Sequence, residues 1–317
     1  MIGESSIRNV TDLFYLDGAD IAIVHSDVLS HLRRTKRMPG IEDRVQYIAK
    51  LHSEEFHVLS RMKYSRLDLS GRKVNFGPAG SGSALTAEAV FEASKVQVLP
   101  LYLDQATAAG KMRKGELEAM VFVSGKPSAA FDHIRHTDGV HFLNVEFVND
   151  LERDYLPAIL MHDDYPDLIA ANETVRTIAV SAVMAVSTSP ATSERYARLT
   201  RFAEAFFAKF EAFKQLPNHV KWREISLSAP VAGWTRFPPA QQWLKEHPES
   251  VAARGDVLAE RNGIAGLQHL TDISAPEANK VRLLFENLSR DYGPAGGEDR
   301  EQLFNEFLRW YSTRARN

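Results

Sequence analysis

The stretch Lys73-Val-Asn-Phe-Gly-Pro-Ala-Gly-Ser-Gly-Ser-Ala-Leu-Thr86 leaves this chain few folds to choose from. Val74 and Phe76 alternate with Lys73 and Asn75, the period of a half-buried strand. Gly77, Gly80 and Gly82 then allow backbone angles that residues with a Cβ resist, and Pro78 fixes part of the turn. Ser81 and Ser83 suit a helix N-cap, and Ala84, Ala87 and Phe91 follow at helical spacing. Backbone N–H groups and two hydroxyls thus converge at the positive end of a helix, a place suited to a carboxylate or a phosphate. An ordinary serine-capped turn would use the same residues, and the local sequence leaves both readings open. Ser83-Ala84 stands where a P-loop needs Lys-[Ser/Thr], which argues against nucleotide hydrolysis. Leu85 occupies the place of the third glycine of a dinucleotide fingerprint.

The same alternation of short strand and helix runs through the rest of the chain. A helix is expected through Val10, Leu13 and Phe14, then a buried strand Ile21-Ala-Ile-Val24 ending at His25-Ser26-Asp27. Polar residues at the carboxyl end of a strand are where open α/β sheets place ligands, although Ser26 or Asp27 could equally cap a helix beginning at Val28. The basic run His31 to Arg37 is followed by Glu42, Asp43, Glu54 and Glu55, the pattern of a solvated helix face rather than a nucleic-acid patch. Further strands are expected at 56–60, at 98–102 on an edge because of Pro100, at 117–123 and at 140–145, with helices over 104–114 and through Ala130. The apolar run 177–186 reads as a strand returning to the first lobe, and 195–213 as a helix whose Phe202, Phe206, Phe207 and Phe210 pack a core. Trp234 to Pro239 reads as a rigid aromatic loop, 249–260, 275–290 and 299–312 as helical, and 293–297 as a linker.

Composition excludes several kinds of chemistry. The 317 residues contain no cysteine, so disulfides, zinc ribbons and thiol nucleophiles are all absent. A formal charge of −3 gives no electrostatic argument for nucleic acid. The longest apolar run, Ile178 to Val186, is too short to span a bilayer. There is no GxSxG elbow, and His25, Ser26 and Asp27 cannot form a triad among themselves because successive side chains on a strand point apart. His133 and His136 could be read as a metal pair, but without HExxH they suit a surface helix better; His162-Asp163-Asp164 fits a turn before Pro166 as well as a cation. The residues therefore suggest capture without catalysis, cofactor or metal.

Six segments in order resemble the TAXI-family solute receptors of TRAP (tripartite ATP-independent periplasmic) transporters, over roughly residues 3 to 245. They are Ser5-Ser6-Ile-Arg-Asn9, Ala19 to Asp27 with His25 in the place of the family's glutamine, and Leu69 to Ser83. Gly115 to Pro127, Tyr165-Pro166 with Val175-Arg-Thr177, and Gly233-Trp234 complete the set. The resemblance implies an α/β, two-lobed periplasmic-binding-protein type II fold that binds its ligand between the lobes. The first lobe would take residues 1–72 plus 174–250, and the second 73–173. Because the chain starts after the family's signal peptide, first strand and first helix, the fold is expected to lack them and to carry a helical C-terminal extension over 251–317. Carried over by position, the ligand contacts are Ser6, Asn9, His25, Ser26, Gly80, Ser81, Ser83 and Pro127, with Trp234 lining the cleft.

The implied ligand is a small anionic solute, a carboxylate or an amino acid such as glutamate or 2-oxoglutarate. The implied partners are TRAP membrane permease subunits, with the receptor a periplasmic monomer that binds no nucleic acid. His25 bears on ligand choice, since histidine can charge near neutral pH where glutamine cannot. Met1-Ile-Gly-Glu-Ser-Ser6 has neither a basic n-region nor an apolar h-region. A chain truly starting at Met1 is therefore expected to be a cytoplasmic ligand sensor or interaction protein on the same fold.

Overall fold

A computed structural model describes residues 6–16, 18–36, 38–61 and 66–248. The C-terminal segments read as helices and linker, the expected extension over 251–317, and Ser5 lie outside the described residues. The chain opens with α1 (Ser6–Tyr15), β1 (Ile21–His25), α2 (Val28–Arg34), α3 (Ile41–Arg44) and the long β2 (Val45–Ser60). It continues through β3 (Lys73–Asn75), α4 (Gly82–Ala93), β4 (Leu99–Leu101), α5 (Gln105–Arg113) and β5 (Ala119–Ser124). Then come β6 (His141–Phe142), β7 (Leu156–Met161) and the second long strand, β8 (Thr174–Ser187). The described residues end with α6 (Glu194–Ala208), α7 (Phe210–Phe213), β9 (Thr235–Arg236) and α8 (Pro238–Glu246).

All nine strands of the described residues join one mixed sheet whose main path runs β1-β8-β2-β5-β3-β4. β8 is a run of valine, isoleucine and alanine with eleven consecutive buried positions, as expected of a strand covered on both faces. It pairs antiparallel with β1 through residues 182–186 and with β7 through 174–179. β2 lies against it from Val45↔Ser187 to Glu55↔Ala179 and then leaves it to pair with β5 through Glu55 to Ser60. These two long strands thus belong to both halves of the sheet and cross the division expected between 1–72 plus 174–250 and 73–173. The β2–β8 register shifts between Tyr47 and Ala49 and again between Lys50 and Ser53, irregularities that let a strand bend where the halves meet.

Each half is packed on both faces. Around β8 and the first part of β2, α1 and α2 cover one face with Val10, Leu13, Val28 and Leu32, while α6 and α8 cover the other with Leu199, Phe206, Phe207 and Leu244. In the second half, α4 packs Ala84, Ala87, Val90 and Phe91 on one face, and α5 with the segment around Phe131 and Tyr165 fills the other. Leu85 of α4 reaches the first half's core, so α4 touches both. The result is a mixed α/β architecture in which two packed halves share one sheet.

Several local expectations change. Glu54 and Glu55 lie on β2 rather than on a solvated helix face, and Glu55 is only 2% exposed. Asp27 precedes α2 without capping it; its carboxylate instead accepts bonds from Tyr155 Oη (2.8 Å) and Thr86 Oγ1 (3.0 Å). The helix expected through Ala130 is a three-residue 3-10 turn, and the strand over 140–145 shrinks to β6. His133 and His136 fall on a turn and at the start of a 3-10 helix, not on one α-helical face. Pro238 and Pro239, read as loop, begin α8, where the missing N–H groups cost nothing.

Where β2 leaves the first half it buries a polar network. Glu55 Oε1 accepts from Lys221 Nζ at 2.8 Å, and its Oε2 accepts from the Lys126 backbone N–H at 3.1 Å. Lys221, from the 3-10 helix Val220–Glu224, also meets Glu224, and Lys126 Nζ meets Asp164 at 3.0 Å. Burial works against the Lys221 ammonium, but the Glu55 and Glu224 charges outweigh it and raise its pKa. Two residues on, fully buried His57 places Nδ1 3.2 Å from Phe122 O and Nε2 2.7 Å from Tyr165 Oη. Because Tyr165 Oη already accepts from Ser128 N, its proton goes to His57 Nε2, which leaves a neutral ring protonated at Nδ1. Burial pushes the His57 pKa down to about 3, helped by the charges of Lys126 and Lys221.

Candidate functional site

A cavity of about 530 Å³ opens between the halves, and two helices, α4 and α5, begin at its wall, which Ser6 and Asn9 of α1 also line. Ser81 to Ser83 start α4, and Asp104 to Ala106 start α5. Backbone N–H groups and dipole ends at the starts of α4 and α5 favour negative charge.

The glycine-rich loop reaches this wall as its residue types dictate. Gly77 and Gly80 have φ of 87° and 74°, the left-handed region. A Cβ on Gly77 would meet Ser81 Oγ at 3.3 Å, Gln105 Nε2 at 3.5 Å and Ser83 Cβ at 3.5 Å, so these three side chains converge around it. Ser81 caps α4 by accepting from Ala84 N at 3.1 Å. Ser83 Oγ accepts from Val123 N at 3.0 Å, and Ser6 Oγ accepts from His25 N at 3.4 Å. In each serine the oxygen takes a backbone N–H and the hydroxyl proton stays available for donation.

Beside the start of α4, His25 Nε2 sits 2.9 Å from Glu54 Oε2, and His52 Nε2 lies 3.3 Å from Glu54 Oε1. Burial disfavours the His25 imidazolium, yet the Glu54 hydrogen bond and charge, with the Asp27 charge, hold its pKa above the ordinary value. Glu54 is pushed up by burial, but hydrogen bonds from His25 and His52 hold its carboxyl well below the usual carboxylate range. The His25 ring presses on the start of α4: a Cβ on Gly82 would fall 2.3 Å from His25 Cε1 and 2.4 Å from Nδ1. Gly82→Ala is expected to cost about 1–3 kcal/mol by overpacking, read from denaturant midpoints. In a His25→Ala background the same change is expected to be nearly neutral; equal costs in both backgrounds would show that His25 is not the obstacle.

Of the sequence-predicted contacts, the cavity brings together Ser6, Asn9, His25, Ser81 and Ser83. Ser26, Gly80, Pro127 and Trp234 are not among the described lining residues. Ser26 pairs with the Ser181 backbone at the end of β1, and its carbonyl accepts from Trp234 Nε1 at 3.0 Å. Gly80 O lies 3.5 Å from Ile7 N, which ties the glycine loop to α1. The Pro127 carbonyl is 3.4 Å from His219 Nε2. The sequence reading missed Glu54, Asp104, Gln105 and Phe122. Asp104 and Gln105 carried a signal, since the helix start at 104 is readable, whereas Glu54 sits in a polar run that gives none.

A model of the NMT1-like family matches residues 3–246. The chain belongs to the NMT1-like family. Among solved structures, this NMT1-like chain is similar to MatC from Rhodopseudomonas palustris with bound malate, at 14% identity and a TM-score of 0.43, covering 78% of this chain and 84% of that one. It is also similar to the periplasmic aliphatic sulphonate binding protein SsuA from Escherichia coli, at 14% identity, 77% and 70% coverage and a TM-score of 0.39. The periplasmic binding protein BugD gives 14% identity, 77% and 83% coverage and a TM-score of 0.42. The match stands at the level of the NMT1-like family, and the finer TAXI assignment rests on the motifs alone.

Proposed function

We propose that this NMT1-like protein is a periplasmic solute receptor of a TRAP-type transporter, holding a small carboxylate-bearing solute between its halves and performing no chemistry on it. The observation that carries this reading is the meeting of the α4 and α5 helix starts and three serine hydroxyls at one cavity between halves joined by two strands. Two strand crossings permit hinge motion around a captured solute, and the motif order supports the TAXI type with its TRAP permease as partner.

Thermal-shift measurements with a panel of small carboxylates and amino acids test the proposal. A ligand present at a hundred times its Kd stabilises by about 2.7 kcal/mol, which is expected to raise the Tm by about 5 °C or more. Ser83→Ala is expected to weaken that ligand about tenfold, the worth of one hydrogen bond to a charged group. If no member of the panel moves the Tm, the receptor reading falls.

A further inference from the structure

The halves are joined by β2 and β8, and a second fastening lies just behind the cavity wall. Asp27 follows the wall residue His25 by two positions, and Thr86 lies almost one turn of α4 beyond Ser83. Asp27 belongs to the first half, where the adjoining Val28 and Leu29 pack with Val24 of β1 and Val183 of β8. Thr86 is on α4, and Tyr155 packs with Ala87 and Phe91 of the same helix in the core of the second half. Both hydroxyls donate to one oxygen, Asp27 Oδ2, at 3.0 Å from Thr86 and 2.8 Å from Tyr155. Beside them Ser30 Oγ of α2 donates to Asp154 Oδ1 at 2.7 Å. Asp27 is only 4% exposed, and its other oxygen, Oδ1, is buried with no hydrogen-bond partner among the described residues. The carboxylate is therefore held on one side and unsatisfied on the other. Parting α4 from the turn between β1 and α2 breaks both bonds to Oδ2 but lets water reach the whole carboxylate, so loss and gain oppose one another.

We infer that Asp27, Thr86 and Tyr155 form a latch between the halves, which holds them together around the empty cavity and parts when a solute enters or leaves. As regulation of the proposed site this rests on the receptor reading and adds a gating step to it. None of the three is among the described lining residues, so the latch acts on how the halves are held and not on what the solute is.

Spin-label distances across the latch test this on the full chain. The sequence has no cysteine, so Arg33→Cys on α2 and Glu92→Cys on α4, both exposed, place one label on each side. Without any solute, this labelled parent is expected to give a single short distance. Thr86→Val with Tyr155→Phe removes both donors and strands a buried charge, and is expected to move a large share of molecules to a longer distance. Each of these two changes alone, which keeps one donor and serves if the double variant does not fold, is expected to move a smaller share. Asp27→Asn keeps an oxygen for both donors and removes the charge, so it is expected to stay at the short distance. Tyr155→Phe is also expected to release a bound solute about tenfold faster, the worth of one hydrogen bond to a charged group. Distances unchanged in folded donor variants would overturn the inference, and so would Asp27→Asn as open as they are, or solute release unchanged in Tyr155→Phe. If the labels move as expected while no solute of the panel binds, the receptor reading falls and the latch stands.

Discussion

Lys221→Met is expected to destabilise the protein by about 3–5 kcal/mol, because it leaves the Glu55 carboxylate buried without its cation. Both side chains are almost completely buried, 3% and 2% exposed, and their 2.8 Å contact links the 3-10 helix Val220–Glu224 to β2 where the halves meet. The loss comes from the stranded charge and not from the pair's own worth. Two buried ions replaced together by neutral groups of similar size often cost little, since the desolvation of both is relieved at once. The double variant Lys221→Met, Glu55→Gln is therefore expected to recover most of the loss in a denaturant titration. A double variant as unstable as the single one would show that Lys221 acts through packing of its stem.

Acid is expected to weaken the fold through His57 more than through any surface carboxylate. The ring is neutral, fully buried and bonded at both nitrogens, and its pKa is depressed to about 3. A depressed folded pKa means that the unfolded chain takes up the proton first. Its contribution is thus complete above the ordinary value of about 6.5 and drains away as pH falls toward 3. At 1.36 kcal/mol per unit, about 3 kcal/mol is gone by pH 4. Between pH 7 and pH 4 the wild type is expected to lose about that much more stability than His57→Gln. Parallel pH profiles for the two proteins would mean that the ring titrates normally.

The parts of the fold that were legible are those where one segment's own residues decide the outcome. β8 reads as a strand because its apolar run is continuous and β-branched, and Pro100 correctly sends β4 to the edge of the sheet. Ser81 is readable as the cap of α4 because capping is local. What stayed hidden depends on partners far along the chain. The first part of β2 contains Lys50, His52, Ser53, Glu54 and Glu55, a polar run whose burial makes sense only once Lys221, 166 residues later, meets Glu55. β7 was missed because Pro157 in a six-residue run argues against a strand, although its place on the outer side of β8 tolerates it. The cavity follows the same division: Ser81 and Ser83 follow from the turn chemistry of the glycine loop, whereas Glu54 of β2 and Gln105 of α5 reach the same cavity only through the fold.

The pairing of β1 with β8 also fixes an order of events during synthesis. Ile21 lies opposite Val186, and His25 opposite Ala182, so β1 waits for more than half of the described chain before β8 can pair with it. At about 5–20 residues per second, β1 leaves the ribosome roughly 8–30 s before the residues it must pair with. Throughout that interval the second half can assemble β3 with β4 and β5, and β5 and β6 with the end of β2, while the β1 edge stands open to any extended chain nearby. A nascent chain of this topology is most exposed to misassembly at β1, not at the segment just emerging.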